Sequence, residues 1–463
     1  MAPSFGTSGL RGLVTELTDT LVGNYVHAFL STLEGCDTLY VGRDLRPSSP
    51  RIAKTVCDTA RQAGVNVVDC GALGTPALAL ASMGHDAAAI MITGSHIPAD
   101  RNGLKFYLPQ GEVSKEDEAS ISAAYASGVR ASSGQVGRYR VDDTAEPYYV
   151  ARYVTAFGAD ALVGLKVGVY RHSSVARDTM ERIFAALGAD VVSLAHSDTF
   201  IPVDTEAVDP QTRADLADWC RTHGLDAIVS TDGDADRPML TDATGKVIAG
   251  DVLGILTARV VGAKGVVTPV SSNDMVRRLP EFSDVRLTRI GSPYVIAGMD
   301  AARETTPEIV GFEANGGFLL GFDAMINGPI TALPTRDCML PILAPLYAAQ
   351  KAALSLADLV KALPACFTAA DRLQEIDRAK AAQFLEGLIE DQTARTEFFA
   401  PFGSIASVDL TDGLRVNFDS GDVAHLRPSG NAPEFRIYAQ SDTQTRAQDL
   451  TDHLKDAVSD HVM

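Results

Sequence analysis

Three aspartates stand at alternate positions in the segment STDGDADRPML. Asp232, Asp234 and Asp236 directly follow the apolar run LDAIV, which predicts a strand. Alternate positions of an extended segment face one side, so the carboxylates repel one another unless a cation neutralises them, and oxygen ligands suit Mg²⁺ or Ca²⁺. A calcium-binding EF-hand loop would need glycine and glutamate where Arg237 and Ala243 stand. The spacing predicts a metal site with open positions for a phosphate oxygen; an acidic surface turn is the alternative.

A serine follows a second apolar run in TGSHIPADRNGLK, which extends from Thr93 to Lys105. The run AAAIMI predicts a short buried strand, and the glycine, proline and Asn-Gly pair after it predict a loop. The second glycine of a hydrolase Gly-x-Ser-x-Gly elbow is missing, and His96 is poorly placed as a base for its neighbour Ser95. The chain also lacks a Gly-x-x-x-x-Gly-Lys-Ser/Thr phosphate loop. We therefore expect Ser95 itself to carry a phosphoryl group, with Mg²⁺ bridging it to the aspartates.

The segment RPSGNAPEFR has the composition of an anion-binding loop. Arg427 could clamp a phosphate through two hydrogen bonds. Ser429, Gly430 and Asn431 could add a hydroxyl and backbone N–H groups. A plain hairpin loop with two exposed arginines, Arg427 and Arg436, is the alternative.

Three shorter motifs are weaker signals. In GFEANGG, Glu313 and Asn315 could grip neighbouring hydroxyls of a sugar, and a simple turn is as good an explanation. In GTSGLRG, Arg11 stands between glycines and could lend positive charge to a phosphate or belong to an N-terminal arm. The His-Ser-Ser of YRHSSVARD precedes a predicted helix, so we expect helix capping there before an anion or domain contact.

Composition narrows the class of protein. The 463 residues carry a formal net charge of −19, which disfavours nucleic acid or an anionic membrane as the main partner but not small anions. The six cysteines form no Cys-x-x-Cys pair, as is typical of reduced thiols. The N-terminus lacks a signal-peptide pattern, and no uncharged apolar run approaches about 18 residues. We expect a cytoplasmic protein, a monomer or weak homodimer, with no nucleic-acid or membrane partner.

The pattern of elements predicts four domains. Short apolar runs alternate with amphipathic helix patterns in residues 1–150, and this α/β alternation restarts in 151–250 and again in 251–365. One helix in the first of these segments opens with Ser114 and Asp117 in capping-box spacing. Residues 366–463 instead contain period-2 strands, a hairpin signal at Asp412-Gly413 and a terminal amphipathic helix. The last domain is therefore expected to be α+β.

The motifs and their order resemble the α-D-phosphohexomutase family, which includes phosphomannomutase and phosphoglucomutase. TGSHIPADRNGLK resembles the family's phosphoserine loop, DGDADR its metal loop, GFEANGG its sugar loop and RPSGNAPEFR its phosphate loop. GTSGLRG and VGRDLRPSS resemble its N-terminal signatures, so the resemblance covers nearly the whole chain. It implies three sequential α/β domains with mixed sheets and a C-terminal α+β domain, arranged around a central cleft.

The resemblance also implies roles for individual residues. Ser95 matches the phosphoserine and binds Mg²⁺ together with Asp232, Asp234 and Asp236, while Lys105 matches a general acid/base. The other matches are Arg11, His96 and Arg237 as catalytic residues, Glu313 and Asn315 for sugar hydroxyls, and Arg427, Ser429, Gly430, Asn431 and Arg436 for the non-reacting phosphate.

The implied reaction interconverts hexose 1-phosphate and hexose 6-phosphate. Phosphoserine gives its phosphoryl group to the sugar, the hexose 1,6-bisphosphate turns around in the cleft, and its other phosphate returns to the serine. We expect Mg²⁺ as cofactor and the bisphosphate as activator. Phosphomannomutase is the preferred assignment, with phosphoglucomutase or dual specificity close behind and phosphoglucosamine mutase third. A sugar-phosphate phosphatase and a non-catalytic sugar-phosphate-binding protein are the alternatives from other classes.

Three positions depart from the family's motifs. Gly317 stands where the sugar loop usually has histidine, Ala432 replaces the glutamate of the phosphate loop, and Ile97 replaces the asparagine after His96. Because the sugar loop normally selects the substrate, these departures weaken the assignment of the hexose. A contact that the histidine would supply is absent or comes from elsewhere.

Overall fold

The computed structural model describes residues 3–6, 9–130, 134–429 and 434–462, which form four principal β-sheets. Three sheets belong to α/β units and the fourth to an α+β unit, so the expected fold class is confirmed. Each domain proposed from the sequence contains one of these sheets.

The first unit is a mixed sheet of eight strands with order β1-β2-β6-β5-β3-β4-β8, in which β7 pairs with β6. In its centre, β3 pairs in parallel with both β5 and β4. Strand β6 pairs antiparallel with β5 on one side and with β2 on the other. Every residue of β5 is buried, which explains its continuous apolar run. The elements are β1 (Ser4–Phe5), β2 (Leu10–Leu13), α1 (Asp19–Thr32), β3 (Thr38–Arg43), α2 (Ser49–Gln62), β4 (Asn66–Ala72), α3 (Thr75–Met83), β5 (Ala88–Ile92), β6 (Arg101–Leu108), β7 (Gly111–Glu112), α4 (Lys115–Ser127) and β8 (Tyr139–Val141).

The second unit is a four-stranded sheet with order β10-β9-β11-β12, parallel except for the hairpin of β11 and β12. Helix α5 leads into it and spans the proposed boundary at residue 150. The elements are α5 (Ala145–Phe157), β9 (Lys166–His172), α6 (Arg177–Ala186), β10 (Asp190–His196), α7 (Pro210–His223), β11 (Ala227–Thr231) and β12 (Pro238–Leu240).

The third unit is a five-stranded mixed sheet with order β14-β13-β15-β16-β19, beside a small β17-β18 hairpin. A 3₁₀ turn (Asp274–Arg278) follows β13. The elements are α8 (Gly250–Val260), β13 (Gly265–Pro269), β14 (Asp284–Thr288), α9 (Ser292–Arg303), β15 (Ile309–Phe312), β16 (Phe318–Leu320), β17 (Ala324–Met325), β18 (Pro329–Ile330), β19 (Leu333–Asp337), α10 (Met339–Ala352) and α11 (Leu356–Lys361).

The fourth unit is an antiparallel sheet with order β20-β24-β23-β22-β21. Asp412-Gly413 joins β21 to β22, as its hairpin signal predicts. The elements are β20 (Phe367–Gln374), α12 (Arg378–Glu390), α13 (Gln392–Phe399), β21 (Ile405–Asp409), β22 (Leu414–Phe418), β23 (Val423–Pro428), β24 (Glu434–Ser441) and α14 (Gln444–Val462).

The first three units share an apolar core, whereas the fourth has its own. Polar contacts join the third and fourth units: Arg415 donates to Asp274, Gln440 Oε1 accepts from the backbone N–H of Asp274 at 3.0 Å, and the backbone N–H of Ile290 donates to Asp412 Oδ2 at 2.9 Å. Polar junctions are easier to rearrange than a shared apolar core, because water can replace their hydrogen bonds. The fourth unit is therefore the one best able to move as a body.

A capping box begins helix α4, as the sequence predicts. Ser114 Oγ accepts from the backbone N–H of Asp117, and the Asp117 carboxylate accepts from the backbone N–H of Ser114. We predict that Ser114→Ala destabilises the start of this helix by about 1 kcal/mol, because a helix N–H loses its partner. Hydrogen exchange of peptides covering residues 114–120 should become faster. Ser120→Ala, further along the same helix, is the control, and equal protection in both variants would contradict the prediction.

Candidate active site

Two loops meet at the site, and each follows the carboxyl end of a buried strand. Ser95 follows β5, and the three aspartates follow β11. The backbone N–H of Thr75, at the start of α3, donates to the carbonyl of Asp234 at 2.9 Å, which ties the two units together. Loops at the carboxyl ends of strands in α/β sheets commonly form ligand sites, since several of them converge there.

Ser95 is buried and has a backbone conformation unusual for a serine. Its φ is 55° and only 1% of its surface is exposed. Its Oγ donates to Asp232 Oδ2 at 2.6 Å and lies 3.2 Å from His96 Nδ1, and its backbone N–H donates to Thr93 Oγ1 at 2.8 Å. Left-handed backbone at a residue other than glycine is strained and is found often at functional sites. The strain here aims the hydroxyl at the metal loop.

Arg46 stabilises this conformation of the serine loop. Its guanidinium donates to four backbone carbonyls of the serine loop at 2.5–3.0 Å, those of Ser95, Ile97, Pro98 and Arg101. Its Nε pairs with Asp44 Oδ2 at 3.1 Å, and both side chains are fully buried. The motif VGRDLRPSS, noted from the sequence only as a signature, therefore supports the reactive loop.

The three aspartates converge as their spacing predicts. One carboxylate oxygen of each lies within 4.8 Å of the others, and all three residues are 0% exposed. Lys105 Nζ donates to Asp234 Oδ2 and to Asp236 Oδ2 at 2.6 Å each. Asp234 Oδ1 and Asp236 Oδ1 are buried without a hydrogen-bond partner among the described residues. Unpaired buried carboxylate oxygens need a cation, so these residues fit a hard metal ion.

Burial and charge set the pKa values of the aspartates in opposite directions. Burial raises the pKa of Asp232 well above its usual value, and the neighbouring aspartates raise it further. Burial also acts on Asp236, but the positive charges of Arg336, Lys105 and Arg237 outweigh it and lower the pKa of that carboxyl. Asp236 therefore keeps its negative charge through Lys105 on β6, Arg336 on β19 and Arg237 of the loop itself, whereas the raised pKa of Asp232 favours its neutral form.

The sequence predicts three cationic or basic residues near Ser95, namely Arg11, Arg237 and His96. Arg11 Nη1 donates to the carbonyl of Gly94 at 2.6 Å, and burial lowers the pKa of Arg11 to about 10. Arg237 Nε lies 4.0 Å from Asp236 Oδ1. The charge of Arg237, followed by burial, lowers the pKa of His96 to about 2, so its imidazole is neutral at physiological pH. The neutral imidazole of His96 can donate a hydrogen bond to Ser95 Oγ or accept one from it, but it adds no positive charge to the site.

The sugar loop GFEANGG adjoins the metal loop. Glu313 is 4% exposed, and its Oε2 has no hydrogen-bond partner among the described residues. Asn315 Oδ1 accepts from the backbone N–H of Gly317 at 3.0 Å, so this oxygen shapes the loop while the amide nitrogen is the group left for a ligand. A buried carboxylate oxygen without a donor is a good acceptor for a hydroxyl group.

Sequence reasoning missed Arg336, which is central to the site. The residue lies on β19 and is 4% exposed. Its Nη2 lies 3.0 Å from Asp236 Oδ2, its Nη1 3.8 Å from Glu313 Oε2 and its Nε 3.4 Å from Glu112 Oε1. The one available signal was its position in LPTRDCMLP, because a charged pair inside an apolar stretch is rarely buried without a partner.

The His-Ser-Ser segment before α6 braces the metal loop. His172 Nε2 lies 2.9 Å from the carbonyl of Thr231, and Ser174 Oγ lies 2.6 Å from Thr231 Oγ1. The N-cap of α6 is Ala176, which makes no side-chain capping bond. The expectation of a side-chain N-cap is wrong: Ser174 Oγ accepts from the backbone N–H of Ala176 at 3.2 Å, but no side chain caps the helix, and His172 and Ser174 bond to Thr231 at the end of β11.

The predicted phosphate-binding residues belong to the fourth unit. Arg427 Nε donates to Asp412 Oδ1 at 2.9 Å, and Arg436 Nη2 lies 3.7 Å from Glu434 Oε2. The backbone N–H of Ser429 donates to the carbonyl of Glu434 at 2.8 Å, which closes the base of the loop. Gly430, Asn431 and Ala432 lie outside the described residues. The positive charges of Arg237 and Arg436 both act to lower the pKa of Glu206, so this carboxylate of the second unit is within range of both arginines.

We predict that Arg46→Gln loosens the serine loop. The variant leaves Asp44 unpaired and several buried carbonyls without a donor, which should cost about 3–5 kcal/mol. Hydrogen exchange of peptides covering residues 93–101 should accelerate. Arg51→Gln is the control, since Arg51 pairs with Asp19 at the surface of the same unit. Unchanged exchange in Arg46→Gln would show that the loop holds its shape without the guanidinium.

Comparisons with known proteins identify the family. The models for phosphoglucomutase/phosphomannomutase α/β/α domains I, II and III match residues 2–131, 148–245 and 249–367. The chain is 44% identical to a phosphomannomutase of Sinorhizobium fredii (strain NBRC 101917 / NGR234), over 97% of both chains, and 41% identical to a phosphomannomutase of Salmonella muenchen, over 97% of this chain and 94% of that one. Its fold matches the crystal structure of a phosphoglucomutase/phosphomannomutase family protein from Burkholderia thailandensis with a TM-score of 0.77 and 22% identity, over 97% of both chains. The resemblance seen in the motifs is thus confirmed: the chain belongs to the phosphoglucomutase/phosphomannomutase family of phosphohexomutases, which are isomerases of the intramolecular phosphotransferase class.

Proposed function

We propose that the protein interconverts mannose 1-phosphate and mannose 6-phosphate by way of a phosphoserine at Ser95. The observation that carries this proposal is the buried contact of Ser95 Oγ with Asp232 Oδ2, at 2.6 Å, in a loop of strained backbone. A serine poised on a cluster of acidic metal ligands is suited to holding a phosphoryl group, because a bound cation offsets the charge of both.

Mg²⁺ is the proposed cofactor. Asp232, Asp234 and Asp236 would hold it, together with an oxygen on Ser95, and the unpaired Oδ1 atoms of Asp234 and Asp236 support this assignment. When bound, the cation supplies charge neutralisation to the phosphoryl group. Arg11 and Arg237 would stabilise the equatorial oxygens of the moving group, as expected where catalysis is mainly positioning and electrostatics.

Lys105 is the proposed general acid/base. Its ammonium pairs with Asp234 and Asp236 and is 3% exposed, so it lies between the metal loop and the space next to Ser95. To act as the base, Lys105 would start as the neutral amine and accept the proton that a sugar hydroxyl gives up when it attacks the phosphoserine, and the ammonium formed is the state that pairs with Asp234 and Asp236. His96, neutral and next to Ser95 Oγ, would orient the serine oxygen.

The substrate would be held at both ends. Glu313 and Asn315 would bind sugar hydroxyls, and hexose 1,6-bisphosphate would turn around between the two phosphoryl transfers. The non-reacting phosphate would be bound in the fourth unit by Arg427, Ser429, Gly430, Asn431 and Arg436. Mobility of that unit at its polar junction would admit the substrate and then exclude water.

Mannose is proposed as the preferred sugar because the relatives that are 44% and 41% identical are phosphomannomutases. Hexose 1,6-bisphosphate is the proposed activator, since it would restore phosphoserine after accidental hydrolysis. We further propose a cytoplasmic location, which the free cysteines support, and a monomer or weak homodimer. No helix among the described residues has the length and apolar character that a membrane crossing requires.

We predict that the protein converts mannose 1-phosphate to mannose 6-phosphate with Mg²⁺ and catalytic hexose 1,6-bisphosphate. Glucose and glucosamine 1-phosphates should react more slowly. Ser95→Ala should lose at least about a thousandfold in kcat, because the covalent route is removed. A coupled steady-state assay measures the rates, and Ser127→Ala, at the surface end of α4, is the control. Release of free phosphate without 6-phosphate would indicate a phosphatase and overturn the mutase assignment.

We predict that Mg²⁺ stabilises the folded protein through the metal loop. At a hundredfold excess over Kd, a ligand that binds only the folded state adds about 2.7 kcal/mol. Addition of Mg²⁺ to chelator-treated protein should therefore raise Tm, and Asp234→Asn should abolish most of the rise. Asp198→Asn, an exposed aspartate of the same unit, should keep it. An equal Mg²⁺ shift in both variants would place the ion elsewhere.

A further inference from the structure

Position 317 needs glycine because a larger side chain would not fit there, and not because of its backbone conformation. Its φ is not positive, so a residue with a side chain could adopt the same backbone angles. A Cβ at this position would lie 2.9 Å from Cγ and Cδ of Arg336 and 3.2 Å from its Cβ. These atoms belong to the stem of the arginine and cannot move without displacing its guanidinium. A side chain at position 317 and the arginine at position 336 therefore compete for the same volume.

The guanidinium that fills this volume touches three parts of the molecule. It pairs with Asp236 of the metal loop at 3.0 Å, with Glu313 of the sugar loop at 3.8 Å and with Glu112 of the first unit at 3.4 Å. Glu112 is fixed in turn, since its carboxylate accepts from Ser292 Oγ and Thr335 Oγ1 at 2.9 Å each. A planar guanidinium can hold several carboxylates in set directions, which an ammonium cannot do as well.

We infer that Arg336, for which Gly317 leaves room, is a positioning residue that orients Glu313 toward the sugar and links the sugar loop to the metal loop. The inference rests on the proposed function, in which Glu313 binds sugar hydroxyls. The Arg336 side chain fills the space that a side chain at position 317 would need. The contact that the sequence left unassigned at Gly317 is thereby supplied from β19.

The effect on kinetics follows from the position of Glu313. Its Oε2 is buried, has no hydrogen-bond partner among the described residues, and faces the Arg336 guanidinium. A hydroxyl held by Glu313 is bound both before and during phosphoryl transfer. Misplacing this carboxylate therefore weakens ground-state binding and raises KM more than it lowers kcat.

The test compares Arg336→Gln and Arg336→Lys with the wild-type enzyme. Both the dissociation constant of mannose 1-phosphate, by calorimetry, and the steady-state KM and kcat are measured. We expect Arg336→Gln to raise the dissociation constant and KM by about tenfold or more, the usual range for a residue that orients a ligand group. Arg336→Lys, which keeps the charge without the planar fork, should fall in between. Arg152→Gln is the matched control, because Arg152 is also buried and donates to Thr331, which the site does not use.

Gly317→Ala provides a second variant that keeps every charge. It should raise the dissociation constant for mannose 1-phosphate by displacing Arg336, and it should add little in an Arg336→Ala background, because the two substitutions disturb the same contact. Gly387→Ala, a glycine with open space around it, is the control. Gly317→Ala by itself tests the inference even where the Arg336 variants fail to fold.

The outcomes separate the inference from the proposed function. Weaker binding in the Arg336 and Gly317 variants supports the inference even if the wild-type protein shows no mutase turnover, in which case only the proposed function fails. Unchanged binding and KM in folded Arg336→Gln, or losses equal to those of Arg152→Gln, would overturn the inference while leaving the mutase intact. Additive effects of Gly317→Ala and Arg336→Ala would also overturn it.

Discussion

Three carboxylates held within 4.8 Å of one another and away from water repel strongly, and much of the site exists to offset that repulsion. Lys105 comes from the first unit, Arg237 from the loop itself and Arg336 from the third unit. Each of the first three units thus contributes charge to one point, which requires them to pack closely. Their shared apolar core supplies this packing, so the electrostatics of the metal loop and the arrangement of the units depend on each other.

The close packing of the first three units also explains how a strained serine loop persists. A left-handed φ at Ser95 costs free energy. This conformation is retained because the guanidinium of Arg46 donates hydrogen bonds to the carbonyls of the loop. The fourth unit is built differently, with a separate core and a polar junction to the third. Under the proposed mechanism this division is useful. Phosphoryl transfer needs fixed geometry, whereas entry and turning of a bisphosphate need a part that can move.

Local sequence was a good guide wherever a function depends on adjacent residues. The alternating aspartates, the serine after an apolar strand and the capping box at Ser114 could be read directly, because their geometry follows from strand and helix periodicity. Arg336 could not be predicted in the same way. Its role depends on Asp236 and Glu313, which are distant in sequence, and on the missing side chain at Gly317. The His-Ser-Ser segment was misread for a similar reason, since Thr231, its partner, belongs to another strand.

Contiguous motifs are enough to assign the family, the order of the four units and the loops proposed to carry the chemistry. The sequence also sets the net charge and the scattering of cysteines. The cations that compensate the metal loop, the support of Ser95 and the neighbour of Gly317 became known from three-dimensional packing. Those answers depend on side chains from separate strands meeting in a buried space, where direction and distance set the strength of each charge interaction, and a linear pattern contains neither.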